Sequence, residues 1–310
     1  TYNEVGAYQS ENSPYYDWYD FEKFPDKYDC WWGVWSLPCV KEMTPSYVKY
    51  ILTDENSIVK RWIKAGISGW RLDVADELPD EFVRLLKKSI REIRPDALLI
   101  GEVWEDASNK FSYGQRRKYF QGGELDSVMN YPFADAIISF VRSGKVEGFT
   151  SKIMTILENY PKCVIDVLMN HIGTHDTMRA ITALAGESCE YRDRHWQSGR
   201  KLSSSQYEKG EKLLKLASII QYTLPGVPSL YYGDEAGMEG YKDPFNRRPY
   251  PWGREDRDLL SHYIRLGQLR KSCDALRLGD IQFHQAVNNQ ISFTRTYKGQ
   301  SIRVYVNRGS

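Results

Sequence analysis

A chain of 310 residues is long enough for one large domain with a smaller one beside it. Lys and Arg total 42 against 41 Asp and Glu, a net charge of +1, so no basic field draws the chain to nucleic acid or to an anionic membrane. No apolar run approaches the roughly 20 residues that a membrane span needs, while an aromatic content of 14% points to sugar-stacking rings or to a ring-filled core.

Residues 1–42 read as loop with dense aromatics, SPYYDWYDF and then DCWWGVWSLP. From there helix alternates with short apolar strand. A helix over 56–65 ends at Gly66 and leads into the strand ISGWRLDVA. Pro79 opens the next helix, in which Phe82, Val83, Leu86, Ile90 and Ile93 recur at helical spacing, and Pro95 closes it. ALLIGEV (97–103) is the next strand, followed by strand 125–131, helices across 133–158 and strand 165–170. A long helix over 206–222 precedes strand SLYYG, and the last large helix lies near 256–272. The alternation predicts a parallel sheet covered by helices. From about 279 three β-rich runs separated by NNQ and KGQ predict an antiparallel appendage.

The five cysteines, Cys30, Cys39, Cys163, Cys189 and Cys273, are odd in number and lack metal-ligand spacing. They read as reduced structural thiols, which suits a cytoplasmic protein without a metal site.

Asp73 closes GWRLD, Glu102 closes LLIGE, and Asp176 follows a strand in GTHD. A single strand-end acid is more often a helix cap or a partner for Arg. Three of them, flanked by Arg71, Trp104 and His175, point instead to the catalytic face of a parallel α/β barrel. Paired carboxylates suit cleavage of a glycosidic bond with retention, one acting as nucleophile and the other giving and then taking a proton.

GWRLDVADE, LLIGEVWEDA and IGTHDTMR, in this order and at these intervals, resemble the second, third and fourth signature regions of the α-amylase family. TLPGVPSLYYGDEAGMEGYKDPFNRRPYPW is similar to the eighth-strand region of the neopullulanase, cyclomaltodextrinase and α-glucosidase-like branch, and WWGVWSLPCVKE to the end of its loop domain. The resemblance implies a (β/α)8 TIM-barrel fold, with 1–42 as the remainder of the loop domain, 43–275 as barrel strands four to eight, and 276–310 as the beginning of a C-terminal antiparallel β domain. It implies Asp73 as nucleophile, Glu102 as acid/base and Asp176 as transition-state stabiliser, with Arg71, His175 and Trp104 binding substrate. The substrate it implies is an α-glucan or maltooligosaccharide.

The family's first signature, an Asp-x-x-x-x-Asn-His segment on the third strand, is expected ahead of Thr1, and the residues from Thr1 onward do not read as a signal peptide. Asp166-Val-Leu-Met-Asn170-His171 imitates that signature, but its place just before GTHD makes it the seventh strand, with His171 in the core or at its rim. A barrel without its first three strands exposes sheet edges, so self-association that covers the edge is expected, together with little activity of this chain alone. Calcium belongs to the expectation for a longer chain. A non-catalytic carbohydrate-binding fragment, a transglycosylase and a structural homologue on the same fold remain open as alternatives.

Overall fold

The computed structural model describes residues 5–284, 287 and 289–309. Contacts divide the chain into two compact units, Thr1–Gly101 with Phe111–Leu125, and Glu102–Lys110 with Asp126–Ser310.

In the first unit the aromatic segment folds on itself. The strands Phe21–Lys23 and Lys27–Tyr28 pair antiparallel, and Tyr16 stacks on Phe21 with ring centroids 5.0 Å apart. Trp18 meets Tyr47 edge-on at 5.1 Å and donates its indole N–H to Ser46 Oγ at 2.9 Å. Helix α1 (Ile58–Lys64) leads to strand β1 (Gly69–Leu72), helix α2 (Asp80–Arg91) and strand β2 (Leu98–Gly101). The two strands are parallel, with register running from Gly69 opposite Leu98 to Leu72 opposite Gly101. The helical spacing read from the sequence holds, since Phe82, Val83, Leu86 and Ile90 of α2 are all buried. A Cβ on Gly69 would lie 2.1 Å from the Leu98 carbonyl oxygen, so only glycine allows the strands to approach as they do.

The second unit carries helices α3 (Tyr131–Ser143) and α4 (Phe149–Asn159), strand β3 (Met169–Asn170), helix α5 (Ser204–Thr223), strand β4 (Val227–Pro228) and helix α6 (Arg257–Ser272). Met129 bridges Met169 in parallel, and β3 pairs parallel with β4. A polar ladder runs across these strand ends. Asn130 Nδ2 donates to Asn170 Oδ1 at 2.8 Å, and Asn170 Nδ2 donates to the Pro225 carbonyl at 2.6 Å. Gln221 Nε2 reaches the carbonyls of Asn170 and Ser229, both at 2.9 Å. Strands β5 (Asp280–Phe283), β6 (Gln290–Tyr297) and β7 (Gln300–Asn307) form the antiparallel appendage in that order, burying Ile291, Phe293, Val304 and Val306.

The expected barrel strands are all shorter than read, and three depart furthest from the reading. Only Ser127–Val128 is extended within 125–131, because the Asn130 side chain turns back to accept from the Phe133 N–H and starts α3. Within 165–170 only β3 is extended. Pro161 starts a helical turn, Lys162–Ile165, and its carbonyl accepts from the N–H groups of Val164 and Ile165. SLYYG is not a strand. Tyr231 and Tyr232 face the Arg179 guanidinium at 4.1 and 4.6 Å, and the backbone bends to present them. Among the described residues no helix is long and apolar enough to cross a membrane.

Candidate active site

Asp73 is the residue after Leu72 and Glu102 the residue after Gly101, and those two strand ends are register partners in the parallel ladder. The two acids therefore follow equivalent positions at the C-terminal ends of neighbouring strands.

In the first unit Arg71 sits two residues before Asp73, on the same strand face, and forms an ion pair with it. The Asp73 side chain is 71% exposed, so the pair fixes direction more than it adds stability. Val74, immediately after, has φ 41° and ψ 53°. A β-branched side chain in the left-handed region carries strain of about 1–3 kcal/mol, and such strain collects where a side chain must be aimed. Close in sequence, the indole N–H groups of Trp31 and Trp32 donate to the two oxygens of Glu77 at 2.8 and 2.7 Å, with the Tyr113 hydroxyl on the same carboxylate. Trp32 and Tyr113 are exposed and both have positive φ. The result is an aromatic platform held by one acid.

In the second unit Glu102 is buried and accepts a hydrogen bond from Trp104 Nε1 at 3.1 Å. Trp104 lies flat on Tyr131, centroids 4.0 Å apart and planes 13° from parallel. Tyr131 in turn meets His171 edge-on at 4.5 Å. Burial pushes the His171 imidazole down to about 3, so the ring is neutral. Asp176 is held from two sides, by His175 Nε2 at 3.0 Å and by Arg247 at 3.1 Å. The loop that carries this pair is stapled from the following loop. Asn246 Nδ2 donates to the carbonyls of Thr174, His175 and Thr177 at 3.2, 2.7 and 2.6 Å, and Arg247 Nε to that of His175 at 3.0 Å.

The fold thus joins Arg71 with Asp73, Trp104 with Glu102, and His175 with Asp176. Sequence reasoning missed Asn246 and Arg247. Their only signal was the polar FNRR run inside an otherwise aromatic loop. It also missed Trp31 and Trp32, whose partner Glu77 lies over 40 residues away. A cleft of about 670 Å³ in the first unit, lined by Tyr8, Tyr15, Trp18, Tyr28, Trp35 and Tyr50 among others, contains none of the six candidates. Among the described residues no group of three or more His, Cys, Asp or Glu is placed to hold a metal ion.

A family profile described as the α-amylase catalytic domain matches residues 17–262. The chain is 33% identical to an amylopullulanase of Thermoanaerobacter thermohydrosulfuricus, over 98% of this chain and 22% of that protein. It is 32% identical to a cyclomaltodextrinase of Thermoanaerobacter pseudethanolicus, over 97% of this chain and 48% of that one. A crystal structure of the debranching enzyme from Nostoc punctiforme superposes with a TM-score of 0.79 at 27% identity, over 98% of this chain and 61% of that one. The chain spans from about a fifth to a half of the length of these curated relatives.

Proposed function

Because the chain belongs to the α-amylase family of glycoside hydrolases and carries that family's catalytic-domain fold, we propose that it cleaves α-glucans with retention, using Asp73, Glu102 and Asp176. The observation that carries this reading is that each acid follows a strand or turn whose sequence fits the family signature and is already held by a neighbouring donor.

Asp73 attacks the anomeric carbon and displaces the leaving oxygen, forming a glycosyl-enzyme ester. Glu102 protonates that oxygen, then takes a proton from the water that hydrolyses the ester. Arg71 pairs with the attacking carboxylate and keeps it aligned. His175 and Asp176, fixed by Arg247 and Asn246, hold hydroxyls of the sugar undergoing reaction and stabilise its positively charged transition state. The exposed ring of Trp104 offers a face for a sugar. Substrates of the kind named for the relatives, cyclodextrins or pullulan-type glucans, share the uncharged, stackable rings that these side chains suit. The five thiols, all unbridged, support a reducing compartment.

Transglycosylation uses the same three acids and is the second reading, favoured by the exposed rings of Trp32 and Tyr113 on Glu77, which offer faces for an acceptor sugar. The test is hydrolysis of an aryl α-maltoside, activated enough to report the little turnover expected of this chain alone, followed by NMR of the first-formed anomer. The α-anomer is expected. Glu102→Gln should lower turnover about 10²–10⁴-fold and Asp73→Asn at least as much, both with maltooligosaccharide binding retained. The β-anomer, or a fully active Asp73→Asn, would overturn the proposal. Transfer products that grow with added acceptor would favour the second reading.

A further inference from the structure

The side chain of Trp104 has three distinct surroundings. Its N–H edge donates to Glu102 Oε1 at 3.1 Å, one face lies on Tyr131, and 48% of its surface remains exposed. Tyr131 cannot readily yield. It is the first residue of α3, only 7% exposed, and its ring is wedged edge-on against His171, itself 2% exposed. The indole is therefore fixed by a buried stack.

We propose that Trp104 is a positioning residue for the reaction: its indole N–H, held in place by the Tyr131 and His171 rings, orients the Glu102 carboxylate. This rests on the reading of Glu102 as acid/base. An indole N–H is a donor only and cannot exchange roles as a hydroxyl or water can. It therefore fixes one carboxylate oxygen, Oε1, as the acceptor and sets the plane of the carboxylate. A sugar stacking on the open face of Trp104 presses on the same ring that sets the carboxylate, so substrate binding and acid orientation share one side chain.

The contact and its catalytic effect are tested separately. With 15N-labelled tryptophan, the Trp104 indole signal is assigned by its loss in Trp104→Phe and followed over pH. It is expected to move with the titration of Glu102 in the wild-type chain and to stay flat in Glu102→Gln. A signal flat in both overturns the proposal, whatever the activity of the chain. Trp104→Phe keeps the stack but deletes the donor. Its kcat is expected to fall about 10- to 100-fold, the weight of one hydrogen bond to a charged group, with little change in KM. The basic limb of its pH profile should move to higher pH, because a carboxylate that loses a donor holds its proton more tightly. An inactive Glu102→Gln beside a Trp104→Phe of unchanged profile refutes positioning alone. An active Glu102→Gln refutes the acid/base reading alone, and the indole titration still decides the contact.

Discussion

His171 places an imidazole in the second unit where neither ring nitrogen has a hydrogen-bond partner and the ring packs edge-on with Tyr131. Burial lowers its pKa to about 3, far below the value of about 6.5 in an unfolded chain. Between those two values the unfolded chain binds a proton that the folded chain refuses. Stability is therefore fully present above about pH 6.5 and declines as the pH falls through the window, by about 1.4 kcal/mol per pH unit. His171→Leu removes the proton-binding site from the unfolded state and the unpartnered polar ring from the core. Urea unfolding at pH 7 and pH 5 is expected to show the variant gaining about 2 kcal/mol on the wild type between the two conditions. Parallel pH dependences of the two proteins would refute the assignment. The position of this histidine was legible because its motif precedes GTHD. The absence of partners was not, since it depends on what Tyr131, 40 residues earlier, presents to it.

Helix α5 illustrates how an element's start is local and its end is not. Ser203 and Gln206 form a reciprocal capping box at its start, written in four consecutive residues. At its far end the carbonyls of Tyr222, Thr223 and Leu224 have no helical donor and point into the core. Arg270 of α6 donates to Tyr222 at 2.7 Å and to Leu224 at 3.4 Å, and also to Gly226. Arg295 of β6 donates to Thr223 at 2.6 Å and to Gly279 at 2.6 Å. Both arginines are buried, and burial lowers each to about 10, so both stay charged at neutral pH. Their charge is met by carbonyl oxygens and by the negative end of the helix dipole. Arg270→Met strands three acceptors and should cost about 3 kcal/mol, whereas Ser203→Ala should cost about 1 kcal/mol. Chemical denaturation of the two variants checks the order. Equal losses would mean that the guanidinium is dispensable. The helix itself was legible as 206–222 from its periodicity. Its cap came from residues about 50 and 70 positions later, which no local pattern announces.

Across the whole molecule, the alternation of helix and strand and the β-rich tail were legible because each depends on short-range periodicity. Asp73 and Glu102 stood out as candidates because each closes an apolar run, and Asp176 because it follows a strand within GTHD. What surrounds them was not. The loop that carries His175 and Asp176 takes its shape from Asn246 and Arg247, some 70 residues on, and the platform on Glu77 takes two of its three rings from over 40 residues before it. These staples are polar, and single polar residues in loops leave no periodic trace. Charge at this scale leads to the last expectation. Acidic and basic residues nearly cancel, 41 against 42, and the proposed substrate carries no charge. Recognition then rests on ring stacking and short hydrogen bonds, which salt does not screen, rather than on a long-range field. Maltooligosaccharide affinity, measured by calorimetry from about 50 to 500 mM salt, should change less than twofold. A nucleic-acid ligand meeting six or more basic side chains would lose several orders of magnitude over a similar range. A steep salt dependence for the sugar would mean that a long-range field contributes to its binding, and would remove the case for stacking and short hydrogen bonds as the source of affinity.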